Sequence, residues 1–179
     1  MTCPFSVLLA LLTLASAAHA QSRPKKGGPV GAPKSVCLLS EDFSSGIPSD
    51  WNIGAAVEQQ DALGNGLGTT VDAWTAGTST QANAHGWFPV PDVSANNVFA
   101  MANDDAAPCN CAMDDVILTS STFDLSSVQN AAVRFRAFTN GVFGGGDGVV
   151  EASDDGNTWS TVAMIGAVQH VWQWFQVDL

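Results

Sequence analysis

Three acidic pairs are the residues of this sequence best suited to chemistry. They are Glu41 and Asp42, Asp104 and Asp105, and Asp114 and Asp115. Ca²⁺ binds about six to eight oxygen atoms from carboxylates, carbonyls and water, so such pairs suit this cation. Their spacing does not match an EF-hand loop. Two interpretations therefore stay open: ligands of a structural Ca²⁺ ion, or ordinary turn and solvated residues.

Aromatic and cationic side chains near the C-terminus form a second candidate site. Trp172 and Trp174 alternate with core-type residues and could form a platform for a sugar or a peptide, although packing is the favoured interpretation. Arg134 and Arg136 share one face of a predicted strand. They could hold an acidic ligand, but we expect them to pair with the abundant carboxylates.

Motifs for catalysis are missing from the sequence. His85 and His170 are the only histidines after residue 20, and neither G-x-S-x-G nor H-E-x-x-H occurs. Paired carboxylates could serve a glycosidase, but nothing distinguishes these pairs from ligands or turns. We therefore expect no active site in this segment.

The cysteines indicate disulfide chemistry in an oxidising compartment. Cys37, Cys109 and Cys111 follow the first 20 residues, which contain Cys3. Three cysteines imply one disulfide and a spare thiol, or a partner outside this sequence. A zinc site is disfavoured because the Cys109-Asn110-Cys111 spacing is shorter than metal-binding pairs usually have.

Charge excludes one class of partner. The formal net charge is −11, and four of the six basic residues precede Val36. The rest of the chain has two arginines against 17 acidic residues, a balance of −15. A nucleic-acid-binding protein needs a basic face, so no nucleic-acid partner is expected.

Residues 1–20 predict export. An apolar run from Phe5 to Leu14 precedes Ala18-His19-Ala20, which fits the cleavage rule for a secretory signal peptide, although no Lys or Arg precedes the run. The run is too short to span a membrane, and no later segment has about 18 consecutive apolar residues. We expect a secreted or outer-surface protein with no transmembrane segment.

Two further segments follow the leader. Residues 21–35 are rich in Pro, Gly and Lys and are predicted to be a disordered linker. Residues 36–179 suit one domain, in which short β-branched and aromatic runs alternate with turn residues and no helical period is sustained. This pattern predicts an all-β fold, an antiparallel β-sandwich or jelly roll.

The elements that would position the candidate sites are short strands. The clearest prediction is a hairpin over residues 148–165, with its turn at Asp154-Asp155-Gly156-Asn157. Strands are also predicted over 131–138 and 171–179, and weaker ones over 36–43, 97–102 and 116–122. Because the sequence stops within the predicted strand 171–179, we expect an N-terminal fragment whose sandwich lacks its final strands.

Several ordered motifs resemble one family. Glu41-Asp42-Phe43, followed by Gly46-Ile47-Pro48-Ser49-Asp50-Trp51, resembles the opening of choice-of-anchor J or cleaved-adhesin domains, relatives of MAM-type jelly rolls. Similar blocks follow in the family's order. They are Asp114-Asp115-Val116-Ile117-Leu118-Thr119-Ser120, with Val116 for the usual Trp and Ser120 for the usual Pro, then Phe123-Asp124-Leu125-Ser126, Val133-Arg134-Phe135, Val150 to Trp159, and Trp174 to Leu179.

The resemblance implies a context for the chain. Such domains occur in large secreted or surface proteins of bacteria, sometimes beside peptidases, and often hold a Ca²⁺ ion. It implies a non-catalytic adhesion or recognition module that binds an extracellular glycan or protein. The alternative is the N-terminal accessory domain of a secreted hydrolase, a peptidase or glycosidase whose catalytic part is not in this sequence.

Overall fold

The computed structural model describes residues 12–15, 37–61, 63–84, 89–103, 111, 113, 116–139, 148–166 and 170–179. Within these residues the fold is all-β, as predicted, and the one helix is a single turn. The elements in chain order are β1 (Leu12–Ala15), β2 (Ala56–Gln60), β3 (Gly66–Asp72), β4 (Thr75–Thr78), α1 (Ser79–Ala82), β5 (Val98–Met101), β6 (Phe123–Asp124), β7 (Ala132–Ala137), β8 (Gly148–Ser153), β9 (Ser160–Ile165) and β10 (Gln173–Asp178).

Four antiparallel pairs form most of the sheet structure. They are β2 with β3, β4 with β5, β7 with β10, and β8 with β9. β1 pairs in parallel with both β6 and β8, which gives a four-stranded sheet in the order β6-β1-β8-β9. This strand lies within the predicted signal peptide, so cleavage after Ala20 would remove it.

The predicted hairpin is confirmed. β8 and β9 pair from Gly148 opposite Ile165 to Ala152 opposite Ser160, with one irregularity between Val150 and Glu151. Gly156 has φ +72°, which the Asp-Gly turn requires and which a residue with a Cβ adopts only with strain. The local turn chemistry therefore specified this element correctly.

The other strand predictions are confirmed at three segments and fail at two. β5, β7 and β10 confirm the strands predicted over 97–102, 131–138 and 171–179. The strand predicted over 36–43 is wrong for residues 37–43, and within 116–122 only Thr119 forms a bridge, to Asn52. No strand was predicted at β2, β3, β4 or β6, because these segments lack clear apolar alternation.

A main core joins most of the strands. Phe43 and Leu118 are completely buried there, and Phe43 meets Trp51 edge-to-face with ring centroids 5.7 Å apart. Phe135 of β7 stacks on Phe175 of β10, its direct cross-strand partner, at 5.4 Å. The aromatic residues at the two ends of the described domain therefore pack into one core.

A second cluster lies on the other side of β5. Ala100 belongs to the main core, whereas the neighbouring residues Phe99 and Met101 belong to the second cluster. This alternation follows from the two-residue period of a strand. The second cluster consists of Ala82, Val90, Val93, Phe99, Met101 and Phe138, with Trp172 packed against it.

No helix among the described residues is long and apolar enough to span a membrane.

Candidate functional site

The β7–β10 pair fixes the relative positions of the candidate binding residues. Trp174 lies directly opposite Arg136, and Gln176 lies opposite Arg134. The alternate residues Phe135, Phe175 and Val177 face the main core. Because side chains alternate along a strand, Arg134, Arg136, Trp174 and Gln176 share the opposite face.

Both guanidinium groups on this face lie over the indole of Trp174. The Cζ atom of Arg134 is 4.5 Å from the ring centroid and that of Arg136 is 5.6 Å away. Trp174 remains 45% exposed. Each cation–π contact at such a site stabilises the fold by about 0.5–1 kcal/mol. We call Arg134, Arg136 and Trp174 the Arg–Trp surface.

The expected carboxylate partners are not found. Within the described part of the chain, neither Arg134 nor Arg136 forms an ion pair. Asp178, two residues beyond Gln176 along β10, is the acidic residue of that strand and makes no such pair. The expectation that neighbouring carboxylates neutralise these arginines is therefore wrong for the described residues, and the indole contacts both cations instead.

Arg134 and Arg136 differ in how firmly they are held. Arg136 donates a hydrogen bond from Nη1 to the carbonyl oxygen of Val93, and its Nε is buried without a partner. Arg134 makes no hydrogen bond to any described residue. A stacked guanidinium with free N–H groups can bind an anion through two parallel hydrogen bonds. The structure therefore fixes one cation and leaves the other available.

Trp172 has a different environment from Trp174. Its ring lies 4.9 Å from that of Phe99 and 5.7 Å from that of Phe138, between centroids. Its Nε1 donates to the carbonyl oxygen of Pro91 at 2.6 Å. These contacts make Trp172 a packing residue, so the two tryptophans do not form one joint platform.

The segment that contacts Trp172 is held by polar side chains. Residues 90–97, which we call the covering segment, follow α1 in the chain. Asn83 accepts from the N–H of Val90 at 2.6 Å and donates to its carbonyl oxygen at 2.9 Å. The buried Ser79 donates to Asp92 at 2.6 Å and accepts from Asn97. Pro91 and Val93 are thereby placed against Trp172 and Arg136.

The first predicted acidic pair has a local structural role. Oε1 of Glu41 accepts from the N–H of Phe43 at 2.6 Å, where Phe43 has φ +58°. Asp42 accepts from the N–H of Ser44, and hydrogen bonds from Ser44, first its hydroxyl and then its N–H, lower the pKa of Asp42. These carboxylates therefore stabilise the turn that inserts Phe43 into the core.

The described residues do not complete a Ca²⁺ site. Glu41 and Asp42 together supply fewer oxygens than the ion binds. Asp104, Asp105, Asp114 and Asp115 lie outside the described residues. Among the residues that are described, no group of three or more His, Cys, Asp or Glu side chains is arranged to hold a metal ion.

The cysteines on the described chain are oxidised. Cys37 and Cys111 are both disulfide-bonded. Cys111 is buried and forms a β-bridge with Gln59 of β2. Cys109, the third predicted disulfide cysteine, lies outside the described residues.

Sequence reasoning missed the covering segment and its effect on the two tryptophans. The sequence features that could have revealed this segment were limited to Asn83 and the prolines at 89 and 91, which indicate a loop but not where it lies.

The chain matches no protein-family model, and searches against curated proteins and solved structures likewise gave no match. The resemblance to choice-of-anchor J domains stays a prediction from the sequence.

Proposed function

We propose that this chain is a secreted, non-catalytic recognition module of a larger cell-surface protein and that it binds its ligand at the Arg–Trp surface. One observation carries the proposal. Two guanidinium groups that form no ion pair with any described residue lie over an indole that is nearly half exposed, in a chain whose formal charge is strongly negative.

The energetics favour a binding role for this surface over a stabilising one. Burial of apolar area stabilises a folded protein, and Trp74 and Trp172 contribute such burial. The exposed part of the Trp174 indole does not contribute it. Two adjacent like charges also repel each other in the unbound protein. Aromatic and arginine side chains together are the residue types that most often dominate binding energy at interfaces.

The proposal extends to the fold and the metal. The antiparallel pairs and the shared core support an antiparallel sandwich of the jelly-roll type as the finer architecture. Ca²⁺ as a stabilising ion rests on the three acidic pairs of the sequence. Export rests on the predicted leader, and would place the disulfides of Cys37 and Cys111 in an oxidising compartment.

A binding screen tests the proposal. The purified chain is applied to arrays of extracellular glycans and proteins, beside Trp174→Ala and the control Met164→Ala. Met164 is 55% exposed on β9, which is not one of the two strands of the β7–β10 ladder. We expect binding that Trp174→Ala abolishes and Met164→Ala retains. Equal binding by both variants, or no binding to any glycan or protein, would contradict the proposal.

A further inference from the structure

We infer that the Arg–Trp surface binds a carboxylated saccharide, with a uronate carboxylate held by the guanidinium of Arg134 and the sugar ring lying beside the indole of Trp174. This inference rests on the proposed function and names the class of ligand. It is argued from the charges, the free hydrogen-bonding groups and the exposed apolar area of this one face.

The two positive charges of Arg134 and Arg136 favour a negatively charged ligand. Residues 36–179 contain only two basic residues, Arg134 and Arg136, and they lie side by side on β7. Neither is neutralised by an ion pair within the described residues. A negative group on the ligand would remove the repulsion between the two arginines. The acidic remainder of the chain would repel the same ligand elsewhere, which would direct it to this face.

The geometry of the guanidinium groups favours a carboxylate. The Cζ atom of Arg134 lies 4.5 Å from the centroid of the indole, and its N–H groups donate to no described residue. These groups form a planar fork that matches the two oxygens of a carboxylate. Arg136, held by the carbonyl oxygen of Val93, adds a second positive charge without having to move.

The indole and an adjacent amide favour a sugar as the carrier of that carboxylate. Trp174 is 45% exposed beside the cations, and an exposed indole provides apolar surface of the kind that the apolar face of a pyranose ring can pack against. Gln176 lies next along the strand on the same face and is exposed, so its amide can bond to hydroxyl groups.

An acidic peptide suits this surface less well. Peptides that bind sheets usually add a strand at a sheet edge, where backbone N–H and carbonyl groups are free. The Arg–Trp surface consists of side chains on the face of the two-stranded β7–β10 ladder, so a peptide that added a strand at either edge would bind beside this surface and not on it. Its side chains offer cations, an indole and an amide, which fit the groups of a uronate.

Titration calorimetry with four polymers tests the inference. The probes are polygalacturonate, dextran sulfate, neutral dextran and poly-glutamate, each titrated into the purified full chain. We expect polygalacturonate to bind most tightly, neutral dextran not to bind, and the affinity to fall when NaCl is raised from about 0.05 M to about 0.5 M, because salt screens exposed charges. Tighter binding of dextran sulfate or poly-glutamate would overturn the inference.

Substitutions on β7 locate the carboxylate. Arg134→Gln removes charge-assisted hydrogen bonds and should weaken polygalacturonate binding about tenfold or more. Arg134→Lys keeps the charge but loses the planar fork, so its affinity should lie between those of the original chain and Arg134→Gln. Met164→Ala should bind as the original chain does. Thermal unfolding of each variant confirms that the fold is intact.

Failure of this inference is distinct from failure of the proposed function. Binding that Trp174→Ala abolishes and Arg134→Gln leaves unchanged would overturn the carboxylate assignment and keep the recognition surface. Polygalacturonate binding that neither substitution alters would overturn both.

Discussion

The second cluster and the Arg–Trp surface are neighbouring regions that differ in what covers them. The covering segment contacts both: the carbonyl oxygen of Pro91 accepts from Trp172, and that of Val93 accepts from Arg136. Trp172 also packs on Phe99 and Phe138. Beyond Val93, Trp174 is nearly half exposed and Arg134 is half-buried.

The difference shows that position along a strand does not decide the role of an aromatic residue. Trp172 and Trp174 are two residues apart, and the sequence analysis treated them as a pair, with packing favoured over a platform for both. A loop held by Asn83 and Ser79, distant in the chain, gives Trp172 hydrogen-bonding and apolar partners. Among the described residues, the partners of the Trp174 ring are the two arginines. The first residue stabilises the fold, and the second is available to a ligand.

The largest expected effect comes from removing each indole in turn. Trp172→Ala loses the contacts with two rings and the bond to Pro91, so we expect the free energy of unfolding to fall by about 3 kcal/mol. Trp174→Ala removes a ring that is nearly half exposed and its two cation–π contacts, and should lower it by about 1–2 kcal/mol. Urea denaturation of both variants measures the difference. Equal losses would show that the two indoles are buried alike.

Calcium should affect both regions together if the predicted acidic pairs bind it. At a free Ca²⁺ concentration about 100 times the dissociation constant, binding adds about 2.7 kcal/mol to the free energy of unfolding. The Tm measured by calorimetry should therefore rise with Ca²⁺ and fall with chelator. Mg²⁺ at the same concentration serves as the control. An unchanged Tm in chelator contradicts the calcium proposal and leaves the comparison of the two regions intact.

Asn83→Ala should loosen the covering segment. The substitution leaves the N–H and the carbonyl oxygen of the buried Val90 without partners, which should cost about 2 kcal/mol. Hydrogen exchange should accelerate at Val90 and at the indole Nε1 of Trp172, and not at the indole Nε1 of Trp174. Thr80→Ala, an exposed substitution on α1, is the control. Unchanged exchange at Trp172 would mean that the segment does not shield it.

The turn of the β8–β9 hairpin provides a pH effect outside both regions. N–H donors of Thr158 and then Asn157 lower the pKa of Asp155 to about 2. Because this pKa lies below that of an unfolded aspartate, about 3.9, the carboxylate stabilises the hairpin above pH 4 and loses that effect as the pH falls towards 2. Asp155→Asn should flatten the dependence of Tm on pH in this window. Asp154→Asn, the adjacent control, should retain it.

Sequence reasoning located the elements whose local chemistry is strong and missed those set by distant contacts. The Asp155-Gly156 turn and the alternation of Val133, Phe135 and Ala137 each specify a strand locally. β2 and β3 are polar and largely exposed, so their pairing with each other leaves little apolar pattern to detect. Phe43 is the last residue of the strand predicted over 36–43, yet its φ of +58° is incompatible with an extended strand there.

The candidate site divides in the same way. The sequence identified Trp174, Arg134 and Arg136 and the face that the two arginines share. It could not show that both cations contact one indole, because that contact depends on the register of β7 with β10. It could not separate Trp172 from Trp174 either, because the covering segment originates some 80 residues earlier in the chain.

The most direct test of the central claim is a nuclear magnetic resonance titration of the indole Nε1–H signals with galacturonate oligosaccharides. Trp172→Phe and Trp174→Phe variants assign the two signals. We predict that the Trp174 signal shifts in a saturable manner, that the Trp172 signal stays in place, and that Arg134→Gln suppresses the shift. A Trp174 signal that does not respond, or a Trp172 signal that shifts equally, would contradict the account.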